Sequence, residues 1–271
     1  MPATTLDRPA TVIRPLAFGS ATLRVRDLDL VTRYYEEKLG FALLAKDRQG
    51  ATLGVADRTL LHLLADPGAR LPAAHEAGLF HLAWLLPSRQ DLARWAQRAR
   101  EMGLGVGASD QVVSEALYLT DPEGNGVEVY ADRPPSAWDF SAGTVRMATR
   151  RLALGALAAS AGGEGAPVPP GTVLGHVHLK VGAIAPAEAF WSEALGLDVT
   201  ARYGAEAVFM AGLYASGRHY HHHIAANTWH SAGAGPRLPG TAGLDHFVVE
   251  APHLPAGGRS DPWGNRAVVA G

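Results

Sequence analysis

The chain has no cysteine, little charge and no long apolar run, and each absence removes a class of protein. Without cysteine there is no disulfide, no thiolate nucleophile and no cysteine-ligated zinc site. Charged residues make up only 18% of the sequence and the net charge is -2, so a nucleic-acid-binding surface is not expected. The longest largely apolar run, residues 152–161, is far shorter than the roughly 20 residues that cross a bilayer. We therefore expect neither a nucleic-acid partner nor a membrane span.

The N-terminal residues 1–18 also lack the basic start and apolar core of a secretory signal peptide. Apolar residues account for 47% of the 271 positions, which is typical of a folded chain with a sizeable core. These features predict a soluble, cytoplasmic protein of one or two domains. The residue type that stands out is histidine, which occurs twelve times and partly in clusters.

An internal duplication organises the chain. Residues 19–41 match residues 175–197 at a constant offset of 156. Residues 78–87 match residues 243–252 at a constant offset of 165. A single offset held over about twenty residues indicates repeated structural units, and the two offsets together predict four of them.

The first unit has the pattern of a strand, a helix and three further strands. A strand at 18–25 is followed by a helical pattern in which Asp27 suits the N-cap and Gly40 the C-terminal stop. The second unit repeats this order, with a helix from Ser88 to Met102. The three short strands that complete the first unit are predicted at about 41–46, 51–56 and 59–64.

The fourth unit is too short to repeat this pattern. His81 and Asp121 in the second unit are 40 residues apart, whereas His246 and Asp261, at matching positions, are 15 apart. A helix and two strands do not fit into that interval. We therefore predict that the fourth unit retains only its first and last strands.

The predicted domain boundaries follow the repeats. Residues 17–134 form a first domain and residues 174–271 a second, truncated one. Residues 135–173 are rich in proline, glycine, alanine and serine, which predicts a linker with a helix within 145–160. The two units of the first domain are 17–66 and 78–132.

Three segments resemble a known superfamily. They are residues 114–134, which contain the turn sequence Asp-Pro-Glu-Gly-Asn, residues 175–181 (Gly-His-Val-His-Leu-Lys-Val) and residues 220–229. Together with four βαβββ units, they resemble the vicinal oxygen chelate superfamily of glyoxalase I, extradiol dioxygenases and bleomycin-resistance proteins. They are most similar to its catechol-2,3-dioxygenase-like branch with two repeats. The resemblance implies an α+β fold in which tandem units pair into two cupped mixed sheets, with a metal ion in the cup.

The same resemblance implies that the first and last strands of each unit offer metal ligands. In the first half these positions hold Ser20, His62, His81 and Glu128. The last three form the two-histidine, one-carboxylate set of non-haem Fe(II) sites, which leaves positions open for a catecholate and dioxygen.

The second half offers a different set, namely His176, His223, His246 and Val268. Val268 stands where Glu128 stands in the repeat, so this half has three imidazoles and no carboxylate. Extradiol enzymes of the branch normally keep the metal in the second half with a glutamate on the final strand, and the sequence departs from that pattern. Both halves therefore remain candidates for the metal.

Further residues are candidates for proton transfer and substrate contact. His178 lies on the same strand face as His176, and with Tyr118 and Tyr220 it is a candidate catalytic residue. In a strand, alternation lets at most two of the three histidines at 221–223 face the cup, so at least one is predicted to be structural or exposed. Four aromatic residues are predicted to line a substrate pocket: Phe41, Trp84, Phe209 and Trp229.

The implied function is an extradiol-type dioxygenase that cleaves a catechol-like ring with O2. Its partners would be a small aromatic substrate and O2, and its metal Fe(II), with Mn, Ni or Zn as alternatives. Two other functions stay open: a glyoxalase-type isomerase or lyase, and a non-catalytic, drug-sequestering binding protein. A homodimer is predicted because the shortened fourth unit leaves a sheet edge to cover.

Overall fold

The computed structural model describes residues 16–141, 143–213 and 219–271, which contain sixteen strands and four α-helices. The side chain of Asp27 caps the first helix by accepting a hydrogen bond from the Leu30 N–H. The helix continues as a π-helical turn over Tyr35–Leu39 and ends at Gly40, whose φ is 86°. The elements of this first unit are β1 (Ala17–Val25), α1 (Leu28–Tyr34), β2 (Ala42–Lys46), β3 (Gly50–Val55) and β4 (Arg58–Ala65).

The second unit has the same order of elements. Ser88 caps its helix, with its hydroxyl oxygen accepting a hydrogen bond from the Asp91 N–H at 3.1 Å. The elements are β5 (Gly78–Leu85), α2 (Arg89–Glu101), β6 (Gly107–Asp110), β7 (Ser114–Thr120) and β8 (Gly126–Asp132).

The linker contains less helix than predicted. Only α3 (Leu154–Ala159) is helical within the expected range 145–160, and β9 (Arg150–Arg151) pairs with β6 instead. The Val145 N–H donates to the carbonyl of Thr200 at 2.7 Å. The backbone of this segment is thus satisfied by contacts with distant strands, which the local sequence pattern does not reveal.

The last two units differ in length, and the fourth has one strand more than predicted. It lacks a helix, as expected, but a four-residue strand fits between its first and last strands because it needs far fewer residues than a helix. Unit three consists of β10 (Val173–Lys180), α4 (Ile184–Leu195), β11 (Asp198–Tyr203), β12 (Ala207–Ala211) and β13 (Ile224–Asn227). Unit four consists of β14 (Gly243–Glu250), β15 (Gly257–Ser260) and β16 (Arg266–Val269).

The two sheets join units from opposite halves of the chain. Strand β1 pairs antiparallel with β14, and β5 pairs antiparallel with β10. The strand orders are β15-β16-β14-β1-β4-β3-β2 and β11-β12-β13-β10-β5-β8-β7-β6-β9. The α+β fold with two curved mixed sheets is confirmed, whereas the expectation that units of one half share a cup is wrong. Each predicted domain, 17–134 and 174–271, gives one unit to each sheet.

Alternation along the strands separates a core face from a cup face in both sheets. Leu82 and Trp84 point into the apolar core, so the neighbouring His81 lies on the opposite face. Phe41 packs on Trp84 with ring centroids 5.1 Å apart, and both side chains belong to the core rather than to a pocket. No helix in the described ranges is long and apolar enough to cross a membrane.

The face of each sheet that is turned away from the core is named after the number of strands in that sheet. The nine-strand cup is the face that carries His81, Glu128 and His176. The seven-strand cup is the face that carries Thr22, His62 and His246, which lie side by side on β1, β4 and β14.

Candidate metal centre

Three neighbouring strands bring His81, Glu128 and His176 together in the nine-strand cup. Strand β5 lies between β8 and β10, and its residue Ala83 pairs with Glu128 on one side and His176 on the other. His81 precedes Ala83 by two residues and therefore lies on the same face. The methyl side chain of Ala83 leaves room for the three larger side chains to converge above it.

A glycine bulge places His176. The pairing of β10 with β5 shifts register between Leu174 and His176, at Gly175. A Cβ atom at Gly175 would lie 2.0 Å from the hydroxyl oxygen of Tyr130, so any side chain there would displace the tyrosine or the strand. Glycine at this position therefore allows the close approach that seats His176 beside Glu128.

The donor atoms have the spacing of metal ligands. The Nε2 atoms of His81 and His176 lie 2.9 and 3.3 Å from Oε2 of Glu128, and 3.3 Å from each other. Three ligands that bind an ion at about 2.1 Å and at right angles are about 3.0 Å apart. Among the described residues, this is the one group of three such donors with atoms within 4.8 Å of one another.

The Glu128 carboxylate is buried, and two imidazoles are the groups beside it that stabilise its charge. Its side chain is fully buried, and neither oxygen accepts a hydrogen bond of acceptable geometry within the described ranges. Burial by itself raises the pKa of Glu128, but His176 and His81 lower it more strongly, so the pKa lies well below its usual range. A buried carboxylate is costly unless a cation offsets its charge, and neutral imidazoles do not supply that cation. The buried carboxylate and the three converging donors therefore fit a divalent metal ion.

Comparison with known proteins agrees with the fold. Residues 17–129 match the Glyoxalase/Bleomycin resistance protein/Dioxygenase superfamily. Over 239 residues the chain is 39% identical to a catechol-2,3-dioxygenase of Bacillus subtilis (strain 168), which covers 87% of this chain and 82% of that protein. The chain belongs to the vicinal oxygen chelate superfamily.

Solved structures of this superfamily share the fold. Glyoxalase I from Zea mays has a TM-score of 0.53 at 17% identity, covering 94% of this chain and 92% of that chain. A putative dioxygenase from Bacillus subtilis has a TM-score of 0.58 at 11% identity, covering 93% of this chain and 84% of that chain. At these identities the likeness shows the architecture of a vicinal oxygen chelate protein and nothing about substrate.

His178, one of the predicted catalytic residues, follows His176 by two residues on β10, and its ring contacts that of His81. Its ring centroid is 4.9 Å from that of His81. Burial lowers the pKa of His178 well below its ordinary value, and the charges of His81 and His176 lower it further, so its imidazole is neutral at pH 7. The side-chain amide of Asn227 donates to Nε2 at 2.9 Å, which assigns the imidazole proton to Nδ1.

Tyr118 stands on the other side of the centre. It pairs with Glu128 across β7 and β8, and its ring centroid is 5.8 Å from that of His81. Its hydroxyl accepts a hydrogen bond from the side-chain amide of Gln111. Burial raises the pKa of Tyr118 well above its ordinary value, and the Glu128 charge adds to this, so the phenol stays protonated.

The remaining predicted residues are not brought to this centre. Tyr220 donates a hydrogen bond to Asp132 at 2.8 Å. The Nδ1 atom of His223 accepts a hydrogen bond from the Gly212 N–H at 3.2 Å, and burial lowers its pKa to about 3. His62 and His246 lie in the seven-strand cup.

All three histidines at 221–223 are buried, so of the two outcomes predicted for at least one of them, structural or exposed, the exposed one does not occur. They precede β13, which begins at Ile224, so strand alternation does not apply to them. His221 lies 2.8 Å from a carboxylate oxygen of Asp132, and the ring of His222 packs at a tilt against that of His176 with centroids 4.2 Å apart. His222 is therefore a neighbour of the centre that the sequence pattern did not predict.

A cavity of about 530 Å³ opens beside His81 and Tyr118. Its volume is in the usual range for small-molecule sites, about 300–1,000 Å³. Three aromatic side chains surround His178, with ring centroids 4.8, 5.9 and 5.6 Å away: Phe80, Phe209 and Trp229. Phe80 also lines the cavity, although it was not among the residues predicted to do so, whereas the pocket role predicted for Phe209 and Trp229 stays a prediction.

Proposed function

We propose that this protein is an extradiol-type dioxygenase that cleaves a catechol-like ring with O2. The observation that carries the proposal is the convergence of His81, Glu128 and His176 on one buried point beside a cavity. The 39% identity to a protein named catechol-2,3-dioxygenase supports it. In the overall reaction a ring carbon–carbon bond next to a hydroxyl-bearing carbon breaks and both atoms of O2 enter the product, so no external reductant is needed.

Fe(II) is the metal that we propose for this set of donors. Two imidazoles and one carboxylate suit this ion and leave several coordination positions free. When bound, it would supply a common site at which the substrate oxygens and O2 are held and exchange electrons. The role of His81, Glu128 and His176 would be to hold it beside the cavity, which His81 lines.

His178 and Tyr118 would bind and orient the substrate as neutral hydrogen-bond donors. The lowered pKa of His178 keeps its imidazole neutral, and the hydrogen bond from Asn227 leaves the proton on Nδ1. The raised pKa of Tyr118 keeps its phenol protonated beside Glu128. A substrate that sheds a proton on binding would therefore meet two donors rather than two negative charges.

The aromatic residues around His178 would exclude water from the substrate. Phe80, Phe209 and Trp229 surround its ring on the cup side, and only Trp229 is substantially exposed. Apolar walls of this kind fit the faces of an aromatic ring and strengthen the electrostatic contacts inside the site.

The shortened fourth unit does not touch this centre. Strands β14, β15 and β16 all belong to the seven-stranded sheet, and so does Val268. The loss of a carboxylate at Val268 therefore concerns the other cup, and it gives no support to the alternative of a non-catalytic binding protein.

The proposal is tested by loading the protein anaerobically with one metal at a time and then adding catechol and O2. We expect O2 uptake equal to the catechol consumed with Fe(II), and no uptake with Zn or Ni. Isomerisation of a hemithioacetal by the Ni- or Zn-loaded protein, without O2 uptake in the iron form, would replace this proposal by the glyoxalase-type alternative. Binding of catechol without turnover under any metal would leave a binding protein.

A further inference from the structure

A single lysine lines the cavity that opens beside His81, one of the three donors of the candidate metal centre. Lys180 is at the end of β10, on the same face as His176 and His178, because the three residues are spaced by two along the strand. Lys180 lines the cavity together with His81 and Tyr118. Four residues of strand separate its α-carbon from that of His176 by about 13 Å. A small substrate held at the centre would thus reach the lysine side chain.

The described residues give Lys180 no ion-pair partner. Glu76 is the carboxylate whose charge acts on it, and that carboxylate is bound by Arg70 at 2.8 Å. Burial lowers the pKa of Lys180, and the positive charge of Arg237 lowers it further. A half-buried ammonium group therefore faces the cavity with its charge uncompensated.

Arg237 places a second positive charge close to Lys180. Its guanidinium donates to backbone carbonyls, at 2.5 Å to Leu244 and 3.2 Å to Ala242, and the charges of Asp245, Asp261 and Glu76 also act on it. The Nε atom of Arg237 is buried and has no hydrogen-bond partner in the described part of the chain. Arg237 lies beside Gly78, the residue that pairs with Lys180.

We propose that Lys180 selects catechols that carry an anionic substituent, by pairing with a carboxylate on the substrate. This inference rests on the proposed ring-cleavage function for its substrate class. The catechol oxygens would point to the His81–Glu128–His176 end of the cavity, and a short acidic side chain on the ring would point to the lysine. A charge-assisted hydrogen bond in a half-buried site is stronger than a neutral one and favours the acidic substrate over its neutral analogue.

The test compares 3,4-dihydroxyphenylacetate with 4-methylcatechol in wild type and in Lys180→Met. Binding is measured anaerobically by calorimetry and by tryptophan fluorescence, since the Trp229 ring lies 5.6 Å from that of His178. We expect wild type to bind the acid about 10- to 100-fold more tightly than the neutral catechol, and Lys180→Met to lose that preference. Lys180→Arg should retain most of it.

Lys38→Met is the matched control, because it removes the charge of a lysine on the π-helical turn, away from the cavity. Equal weakening of both ligands by Lys180→Met, or no preference in wild type, would overturn the inference. Circular dichroism and thermal melting identify a variant that has failed to fold. If Lys180→Met does not fold, the test is whether Lys180→Arg retains the preference for the acid. A binding preference without O2 uptake would refute ring cleavage and leave the role of Lys180 standing, so the two proposals fail separately.

Discussion

The two cups share a backbone plan and differ in the side chains placed on it. Each is formed by two units whose first strands pair antiparallel, and each contains a register shift next to a glycine, at Gly175 in one and Gly19 in the other. In the nine-strand cup the central residue Ala83 is flanked by Glu128 and His176. In the seven-strand cup the matching residue Val248 pairs with Val268 instead.

The seven-strand cup has lost more than the carboxylate. Val248 is bulkier than Ala83, the residue at the matching position. Gly258 pairs with Val268 where Tyr118 pairs with Glu128, so the phenol is missing as well. The two cups therefore differ in the side chains at the matched strand positions from which the proposed metal centre is built.

Two imidazoles nevertheless remain in the seven-strand cup. His62 and His246 line a cavity of about 480 Å³, with Thr22 between them. Nδ1 of His246 lies 2.9 Å from Asp245, and burial followed by the charge of His246 lowers the pKa of His62. The metal-ligand role predicted for these two histidines from the sequence stays a prediction.

The largest effect is expected from Glu128→Gln, which removes the carboxylate that distinguishes the cups. The loss of a direct ligand should reduce iron affinity by more than the roughly 10- to 100-fold typical of supporting residues. Iron content after desalting and O2 uptake with catechol measure this. Val268→Ala, at the matching position of the other cup, is the control and should leave both unchanged. Equal losses in the two variants would contradict the assignment of the centre.

Ala83→Val gives the nine-strand cup the valine that the seven-strand cup has at the matching position, Val248. Overpacking typically costs about 1–3 kcal/mol of folding free energy. Here the larger side chain should push His176 and Glu128 apart. We expect iron affinity to fall by about 10- to 100-fold, because 1.4 kcal/mol corresponds to a factor of ten. The reciprocal Val248→Ala should not alter iron binding. Unchanged iron affinity in Ala83→Val would show that the methyl side chain is not required.

Tyr118→Phe tests the phenol that the seven-strand cup lacks. Loss of a positioned proton donor should lower kcat by about 100-fold, at the lower end of the effect of general acid–base groups. Iron content should not change, because the phenol is not one of the three converging donors. The exposed Tyr203 provides the control variant Tyr203→Phe. A parallel loss of iron would instead indicate a structural role for Tyr118.

The smallest effect is expected from adding the missing ligands to the seven-strand cup. Ser20→His with Val268→Glu would place a histidine and a carboxylate beside His246, at the positions that match His176 and Glu128. Iron titration should reveal a second, weaker equivalent, because Val248 is bulkier than Ala83. Adding Val248→Ala should strengthen it. A stoichiometry that stays at that of wild type in both variants would show that the cups differ in backbone as well.

The sequence by itself determined the repeats, the short fourth unit and the residue types of the candidate centre. The resemblance to the superfamily allowed His81, Glu128 and His176 to be named as ligand candidates, and strand alternation placed His178 on the face of His176. The capped helices could be predicted because their caps lie within four residues of their partners.

Only the tertiary structure decided which candidates meet. The first strands of the four units have similar sequence patterns. The sequence alone therefore does not show whether unit two pairs with unit one or with unit three. The pairing of β5 with β10 places unit two beside unit three, and it brings Glu128 of the first half next to His176 of the second half. The contact of Asn227 with His178, 49 residues apart, follows from the pairing of β13 with β10. Such long-range partners depend on the packing of the whole sheet, and no local pattern encodes them.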